Sequence, residues 1–199
     1  MRNSQDRKDK TRHRILKVAA RLFNRKGLSE TTIGEIMTAA GLTHGGFYRH
    51  FTSKDELYAE AVRHFLCKET PEPWQTRPDD ACRVDQPFAR LIVDAYLSRA
   101  HLEDLDGSCP LIGLPSDVAR SSKPVKAAYG EIAESMIRVF ESNLNKPDAR
   151  ERALVLVALC VGVMALARAI DDQVLADDFR DAALRHVVAT TGWGDGRDI

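Results

Sequence analysis

Apolar residues recur at helical spacing along most of this chain, and no strand pair, internal repeat or low-complexity tract interrupts them. Residues 1–10 are polar and mixed in charge, and are expected to form an arm without fixed structure. From about Thr11 a helix is predicted. Ile15, Val18, Ala19, Leu22 and Phe23 share one face, Arg14, Lys17, Arg21 and Arg25 form a second stripe, and Gly27 supplies the stop. The basic stripe reads either as a solvated face or, near Arg12 and Arg14, as a surface beside a phosphate backbone. Thr32 and Glu35 then stand at capping-box spacing before Ile33, Ile36, Met37 and Ala40, so a short helix has one apolar face. Gly41 and Leu42 break it. Thr43 can cap a second short helix reaching His50, in which Phe47 to His50 crowd aromatic and basic groups together. Ser53 and Glu56 repeat the capping box and open a helix to about Leu66, with Leu57, Tyr58, Ala61, Val62 and Phe65 inward.

Pro71, Pro73, Pro78 and Pro87 mark a linker. Beyond it the pattern stays helical. Phe88, Leu91, Ile92, Ala95, Tyr96 and Leu102 predict one amphipathic helix ending near Asp106-Gly107, then a loop with Cys109-Pro110 and a short piece from Ser116 to Arg120. A helix from Pro124 to Asn143 turns Val125, Tyr129, Ile132, Ala133, Met136 and Phe140 inward. The next, Pro147 to Ile170, is apolar nearly all round from Ala153 to Ala167, a run too short to favour a membrane span. It must be covered either by its own body or by a second copy of the chain. A last helix, Asp177 to Thr190, leads to a Gly-rich tail expected to fray. The expected fold is all-α: an N-terminal three-helix helix-turn-helix head (1–66, with the arm 1–10 and a linking helix 53–66) and a C-terminal helical bundle (67–199).

Composition changes this picture in two ways. With 199 residues and 44% hydrophobic content the chain can bury a sizeable core. Its net charge of zero conceals a split. Residues 1–66 hold 13 Lys/Arg against 7 Asp/Glu, while the other 133 hold 16 against 22. A basic head that carries a helix-turn-helix points to phosphate binding. Cys67, Cys82, Cys109 and Cys160 lie far apart without zinc-finger spacing, so neither a structural metal nor a cofactor is expected. From a polar N-terminus without a secretory pattern, the chain is expected to stay in a reducing cytoplasm, with free thiols and no membrane partner.

The candidate DNA-contacting residues follow from position. Tyr48 and His50 can donate to phosphate oxygens, and Lys54 adds charge beside the free amides of its helix N-terminus. The alternatives are that Tyr48 fills the core and that His50 merely caps its helix. Thr32 and Thr43 are N-caps with room for an added contact. Gly45 and Gly46 each cost a helix on the order of 1 kcal/mol relative to alanine, and close approach of backbone to DNA would offset that. His44 and Arg49 remain as readers of base edges, with shape and phosphate contacts carrying much of the recognition. In the body Tyr96, Met136, Phe140, Cys160 and Met164 either line a ligand cavity or form plain core. Cys109, flanked by Ser108 and Pro110 in a loop, is expected to be the most exposed thiol, either a sensor or idle.

These residues resemble the tetracycline-repressor (TetR) family of bacterial regulators. The likeness rests on Leu22-Phe23 and Gly27, then Thr31-Thr32-Ile33, Ile36 and Ala39-Ala40-Gly41-Leu42. It is carried above all by Gly46-Phe47-Tyr48-Arg49-His50-Phe51 followed by Ser53-Lys54-Asp55-Glu56-Leu57. It covers roughly Arg12 to Val62, and Gly107-Ser108-Cys109-Pro110-Leu111-Ile112 is similar to a loop in a subset of members that sense electrophiles or oxidants. The resemblance implies a homodimer whose two heads enter successive major grooves of a palindromic operator on double-stranded DNA. A small-molecule effector in the body would release it, so the chain would be a ligand-responsive repressor. A cysteine-based sensing repressor and a DNA-binding protein without effector are the alternatives. A cysteine enzyme would need Cys109 beside a base such as His101, and no nucleophile elbow or phosphate-binding glycine loop accompanies it.

Overall fold

The structure is a computed structural model that describes residues 2–67, 88–144 and 146–193. The Pro71–Pro87 linker lies outside the described residues. Among those described, the chain is helical throughout with no strand. In order come α1 (Arg2–Glu30), α2 (Ile33–Ala39), a 3₁₀ helix (His44–Arg49), α3 (Lys54–Cys67), α4 (Phe88–Tyr96), α5 (Arg99–Glu103), α6 (Pro110–Gly113), α7 (Pro115–Ala119), α8 (Lys123–Ser142), α9 (Ala149–Ala169) and α10 (Gln173–Thr191). They divide into two compact units. One is drawn from Met1–Glu69 and Leu105–Ile132, the other from Thr70–Asp104 and Ala133–Ile199. A single boundary near residue 66 therefore does not describe the packing, because the 105–132 segment folds with the head.

In the first unit Ile15, Ala19 and Phe23 line up on α1 and are buried, as are Ile36 and Met37 of α2 and Leu57, Tyr58, Ala61 and Val62 of α3. The Phe23 and Tyr58 rings meet edge to face at 5.1 Å. Ile33, Val18, Leu22 and Phe65 are only half-buried, so the inner stripe is narrower than the sequence pattern. The expected arm is instead the start of α1, since residues 2–10 contain no Gly or Pro to break a helix. Gly27 has φ +81 and ψ 168, which kinks α1 before its last turn, Leu28–Glu30. Pro110, Leu111, Ile112, Leu114 and Val118 of the α6–α7 segment are buried, and Tyr129 of α8 donates to the Leu111 carbonyl at 3.0 Å.

The second unit breaks the single helix predicted over Phe88–Leu102 into α4 and α5. Ser98 makes the break: its hydroxyl donates to the Ala95 carbonyl at 2.7 Å and accepts from the His101 amide at 3.1 Å. Arg168 of α9 donates to the carbonyls of His101 (2.6 Å), Leu102 (3.2 Å) and Asp104 (3.3 Å), satisfying the C-terminal end of α5. The last helix starts earlier than predicted because Asp172, not a residue near Asp177, accepts from the Val174 and Leu175 amides. The tail is anchored at its beginning: Trp193 is buried against Phe140, ring centroids 6.1 Å apart, and its indole N–H donates to the Asn143 carbonyl at 3.2 Å. On α9, Ala153, Leu156, Val157, Cys160, Val163, Met164 and Ala167 form one buried stripe. Among the described residues that stripe is the well-covered side of the helix, while Leu159, Val161 and Ala165 are half-buried. Leu154, Val155 and Leu166 stand 47%, 58% and 49% exposed, and Val174 and Leu175 of α10 are exposed as well.

Candidate nucleic-acid interface

The helix-turn-helix is fixed from beneath. Thr32 accepts from the Glu35 amide at 3.2 Å while the Glu35 carboxylate accepts from the Thr32 amide at 2.9 Å, the reciprocal cap expected from the sequence. Lys26 reaches Glu35 at 2.8 Å. That hydrogen bond first, then those from Thr32, hold the Glu35 carboxyl down to about 2. Gly41, at φ +65, makes the turn that no side-chain-bearing residue adopts cheaply. Phe47 is fully buried, its ring 5.7 Å from Phe51, and it anchors the 3₁₀ helix to the core.

On this anchor the polar residues face outward. Tyr48 is 63% exposed, propped edge-on by Phe47 at 5.2 Å and beside His44 at 6.4 Å, so the core reading of Tyr48 is excluded. Thr43, His44, Gly45 and Arg49 are exposed around it. Two details differ from expectation. The recognition element is a six-residue 3₁₀ helix, and Thr43 makes no side-chain cap to it. A helix beginning His-Gly-Gly has little propensity to wind into a full α-helix alone. A Cβ on Gly45 would meet open space, whereas one on Gly46 would touch Met37 at 3.5 Å and Thr43 at 3.7 Å. Gly45 therefore presents bare backbone outward, and Gly46 lies over the core.

His50 closes the 3₁₀ helix, its amide donating to the Phe47 carbonyl at 2.8 Å. Its Nδ1 is buried and makes no hydrogen bond. Burial, then the charges of Lys8, Arg12 and Arg49, push its pKa below the ordinary histidine value. The imidazole is thus neutral among cations in the free protein.

Other cations are already engaged. Lys54 donates to the carbonyls of Leu28 (2.8 Å) and Thr31 (3.1 Å), so its charge sits against the C-terminal end of α1 and the turn after it. Arg12 forks onto Glu60 at 2.6 and 2.5 Å and lies 4.1 Å over the Phe51 ring, so it braces α1 to α3 rather than facing a phosphate. At the start of α3 the Ser53 hydroxyl accepts from the Glu56 amide at 3.1 Å, but Glu56 answers to the Thr52 amide at 2.6 Å instead of Ser53. Contacts such as Arg12 to Glu60, 48 residues apart, leave no local signature in one sequence.

A matching family model, bacterial regulatory proteins of the tetR family, covers residues 15–61, which is the helix-turn-helix and the braces around it. Over 173 residues the chain is 46% identical to the HTH-type transcriptional regulator AcrR of Shigella flexneri, covering 82% of this chain and 80% of that protein. The chain belongs to the tetR family of bacterial regulatory proteins. It is, like its family, a DNA-binding transcriptional regulator. Among tetR-family relatives it is also 37% identical over 109 residues to the regulator TtgR of Pseudomonas putida, about half of each chain. The likeness in fold extends well beyond the head. A regulator from Cytophaga hutchinsonii superposes with a TM-score of 0.75 at 20% identity over 92% of this chain and 96% of its own. The reduced form of NemR from E. coli gives 0.71 at 18% identity over 93% and 98%.

The residues expected to meet a ligand do not form one group. Tyr96, Met136, Phe140, Cys160 and Met164 belong to the second unit and Cys109 to the first. Tyr96 is fully buried, its ring 4.9 Å from that of His101. His101 Nδ1 lies 2.7 Å from the Tyr96 carbonyl, and burial lowers its pKa. Phe140 packs on Trp193, and Met136 and Met164 are buried. Burial pushes the Cys160 thiol up to about 12. Cys109 corrects the sequence reading: it is 4% exposed, at the cap of α6 with Pro110 buried behind it, so it is not the accessible thiol expected of a sensor. A shallow cleft of about 260 Å³ lies between α9 and α10, lined by Asp148, Glu151, Arg152, Val155, Leu159 and His186 among others.

Proposed function

We propose that the chain acts as a homodimeric, cytoplasmic repressor whose two heads bind an inverted-repeat operator and are released by a small-molecule effector. The observation that carries the reading is the exposed array of Thr43, His44, Gly45, Tyr48 and Arg49 on a 3₁₀ helix pinned by buried Phe47. In the major groove His44 and Arg49 read base edges, Thr43 and the bare Gly45 backbone approach closely, and Tyr48 and His50 donate to phosphates on either side. Thr32, at the start of α2, sits where a neighbouring phosphate would add to its cap. Gly46 serves by letting Met37 pack beneath.

Dimerisation is supported by Leu154, Val155 and Leu166 of α9 and Val174 of α10, large apolar side chains left exposed among the described residues. Such a dimer sets two recognition helices about one DNA turn apart, roughly 34–36 Å. The effector site belongs to the second unit, where Tyr96, Met136, Phe140, Cys160 and Met164 supply an apolar lining with little polar competition. An effector that binds better to the DNA-incompatible spacing of heads lowers operator affinity by its own differential affinity. A gel-shift with the DNA flanking the chain's own gene tests this. A retarded band that survives excess scrambled competitor is expected, and its absence at modest salt contradicts the reading.

A further inference from the structure

The turn that leads into the helix-turn-helix is gripped from three sides. After the kink at Gly27, the Leu28 amide donates to Asp117 Oδ2 at 2.6 Å and the Ser29 hydroxyl donates to Asp117 Oδ1 at 3.2 Å. On the carbonyl side, Lys54 of α3 takes the oxygens of Leu28 and Thr31. Thr31 is fully buried, and its hydroxyl donates to the Gly27 carbonyl at 2.7 Å. Residues 27–31 therefore have amides, carbonyls and a buried hydroxyl engaged, and Thr32, the cap of α2, comes next in the chain.

Asp117 is the only member of this grip outside the family-matched region 15–61. It lies at the third position of α7, and its side chain is 17% exposed. The fit is close: a Cβ on Gly27 would stand 2.5 Å from Asp117 Oδ2, so that glycine is needed for room as well as for its φ of +81. The carboxylate meets the amides that the kink leaves without helical partners, and Arg120 at 3.3 Å is its cation. Asn24 and Arg25 tie the same end of α1 to the segment again, Asn24 donating to the carbonyls of Asp106 (3.2 Å) and Ser108 (2.8 Å) and Arg25 pairing with the Asp106 carboxylate.

We propose that Asp117 is a positioning residue for DNA binding: its carboxylate fixes the Gly27–Thr32 turn, and through it the start of α2 and the setting of the recognition helix. The proposal rests on the DNA-binding reading and adds where that geometry is controlled. The segment that carries Asp117 continues into the second unit at both ends, at Asp104–Leu105 and within α8 at Ile132–Ala133. A displacement of this segment thus reaches the turn through one side chain.

The test compares wild type, Asp117→Ala, Asp117→Asn and Ser29→Ala as full-length dimers. Three readouts are taken: affinity for the upstream DNA, affinity for scrambled DNA of equal length, and amide exchange along the chain. For Asp117→Ala the upstream affinity falls about tenfold or more while scrambled binding, set by bulk charge, changes by less than about twofold. Faster exchange is confined to residues 28–36. Asp117→Asn, which keeps an acceptor for the Leu28 amide, restores most of the upstream affinity. Ser29→Ala loses only one of the donors and keeps the fold, so it gives a smaller loss and a local exchange change even if Asp117→Ala does not fold. Wild-type affinity and exchange in Ser29→Ala, or wild-type operator affinity in a folded Asp117→Ala, overturns the proposal. So does equal loss on both DNAs with faster exchange extending through α9 and α10, the result of general destabilisation. A wild-type chain with no preference for the upstream DNA overturns the functional reading and the proposal together, and slow exchange at Leu28 then separates that failure from a clamp that never formed.

Discussion

On the proposed function, His50 links proton uptake to DNA binding. In the free protein, burial and then neighbouring cations hold its pKa below the ordinary 6.5, so the native state keeps it neutral while an unfolded chain would protonate it. The stability this gives is present above the ordinary value and is lost as pH falls from there toward the lowered one. A DNA phosphate beside the ring would reverse the balance by favouring the charged form, so affinity for operator rises as pH falls through the histidine range. Anisotropy titrations at several pH values measure the slope, and His50→Gln is expected to flatten it. A wild-type affinity independent of pH across that window would remove His50 from the phosphate contacts. Its neighbours divide labour differently. Phe47→Ala empties a fully buried site and costs about 3–5 kcal/mol of stability. Tyr48→Ala, at an exposed side chain, changes stability by less than about 0.5 kcal/mol yet loses a charge-assisted contact of about 1.5–3 kcal/mol in binding. Thermal melts and gel-shifts on the two variants separate the roles. This division was legible in the sequence, because Phe47 and Phe51 at i, i+4 can fill the interior and leave Tyr48 outside. The engagement of Lys54 and Arg12 was not, since their partners at Leu28, Thr31 and Glu60 are defined only once three helices have packed.

At the scale of elements, the caps were the most readable features. Thr32 with Glu35 and Ser53 with Glu56 each start a helix where the pattern places it. Breaks were harder to read. Ser98 divides a continuous apolar pattern because its hydroxyl offers the backbone a local alternative to the helix, and Phe88–Leu102 gives no Gly or Pro as warning. Gly41, in the turn before the recognition element, and Gly45, within it, respond oppositely to alanine. Gly41→Ala places a side chain at φ +65 and costs roughly 1–2 kcal/mol. Gly45→Ala meets nothing within the protein and is neutral or stabilising by up to about 1 kcal/mol, yet it weakens operator binding where backbone must approach DNA. Chemical denaturation and gel-shifts of the pair check both signs. Gly45→Ala with undiminished binding would assign that glycine to folding alone.

For the molecule as a whole, the sequence shows the charge split and the all-helical pattern, and the structure explains why a cut near residue 66 is too simple. The 105–132 segment carries acidic residues such as Asp106, Asp117 and Glu131 that pair with Arg25, the Gly27–Thr32 turn and Arg63 of the basic head. Part of the acidic excess beyond residue 66 is therefore spent on the first unit itself. The apolar girdle of α9 was legible as needing cover, and among the described residues one stripe of it is buried. Leu166→Glu, on the open side, is expected to convert dimer to folded monomer, read by sedimentation with an unchanged helical spectrum. A dimer that persists would place the interface elsewhere. The central claim, that two heads on one dimer read a palindrome through Thr43–His50, is met most directly by a binding titration of the purified chain on its upstream DNA across a salt series. The account predicts two protomers per site, preference over scrambled DNA, and a log–log salt slope of about −0.9 per phosphate contacted. One protomer per site, or equal affinity for scrambled DNA, would contradict it.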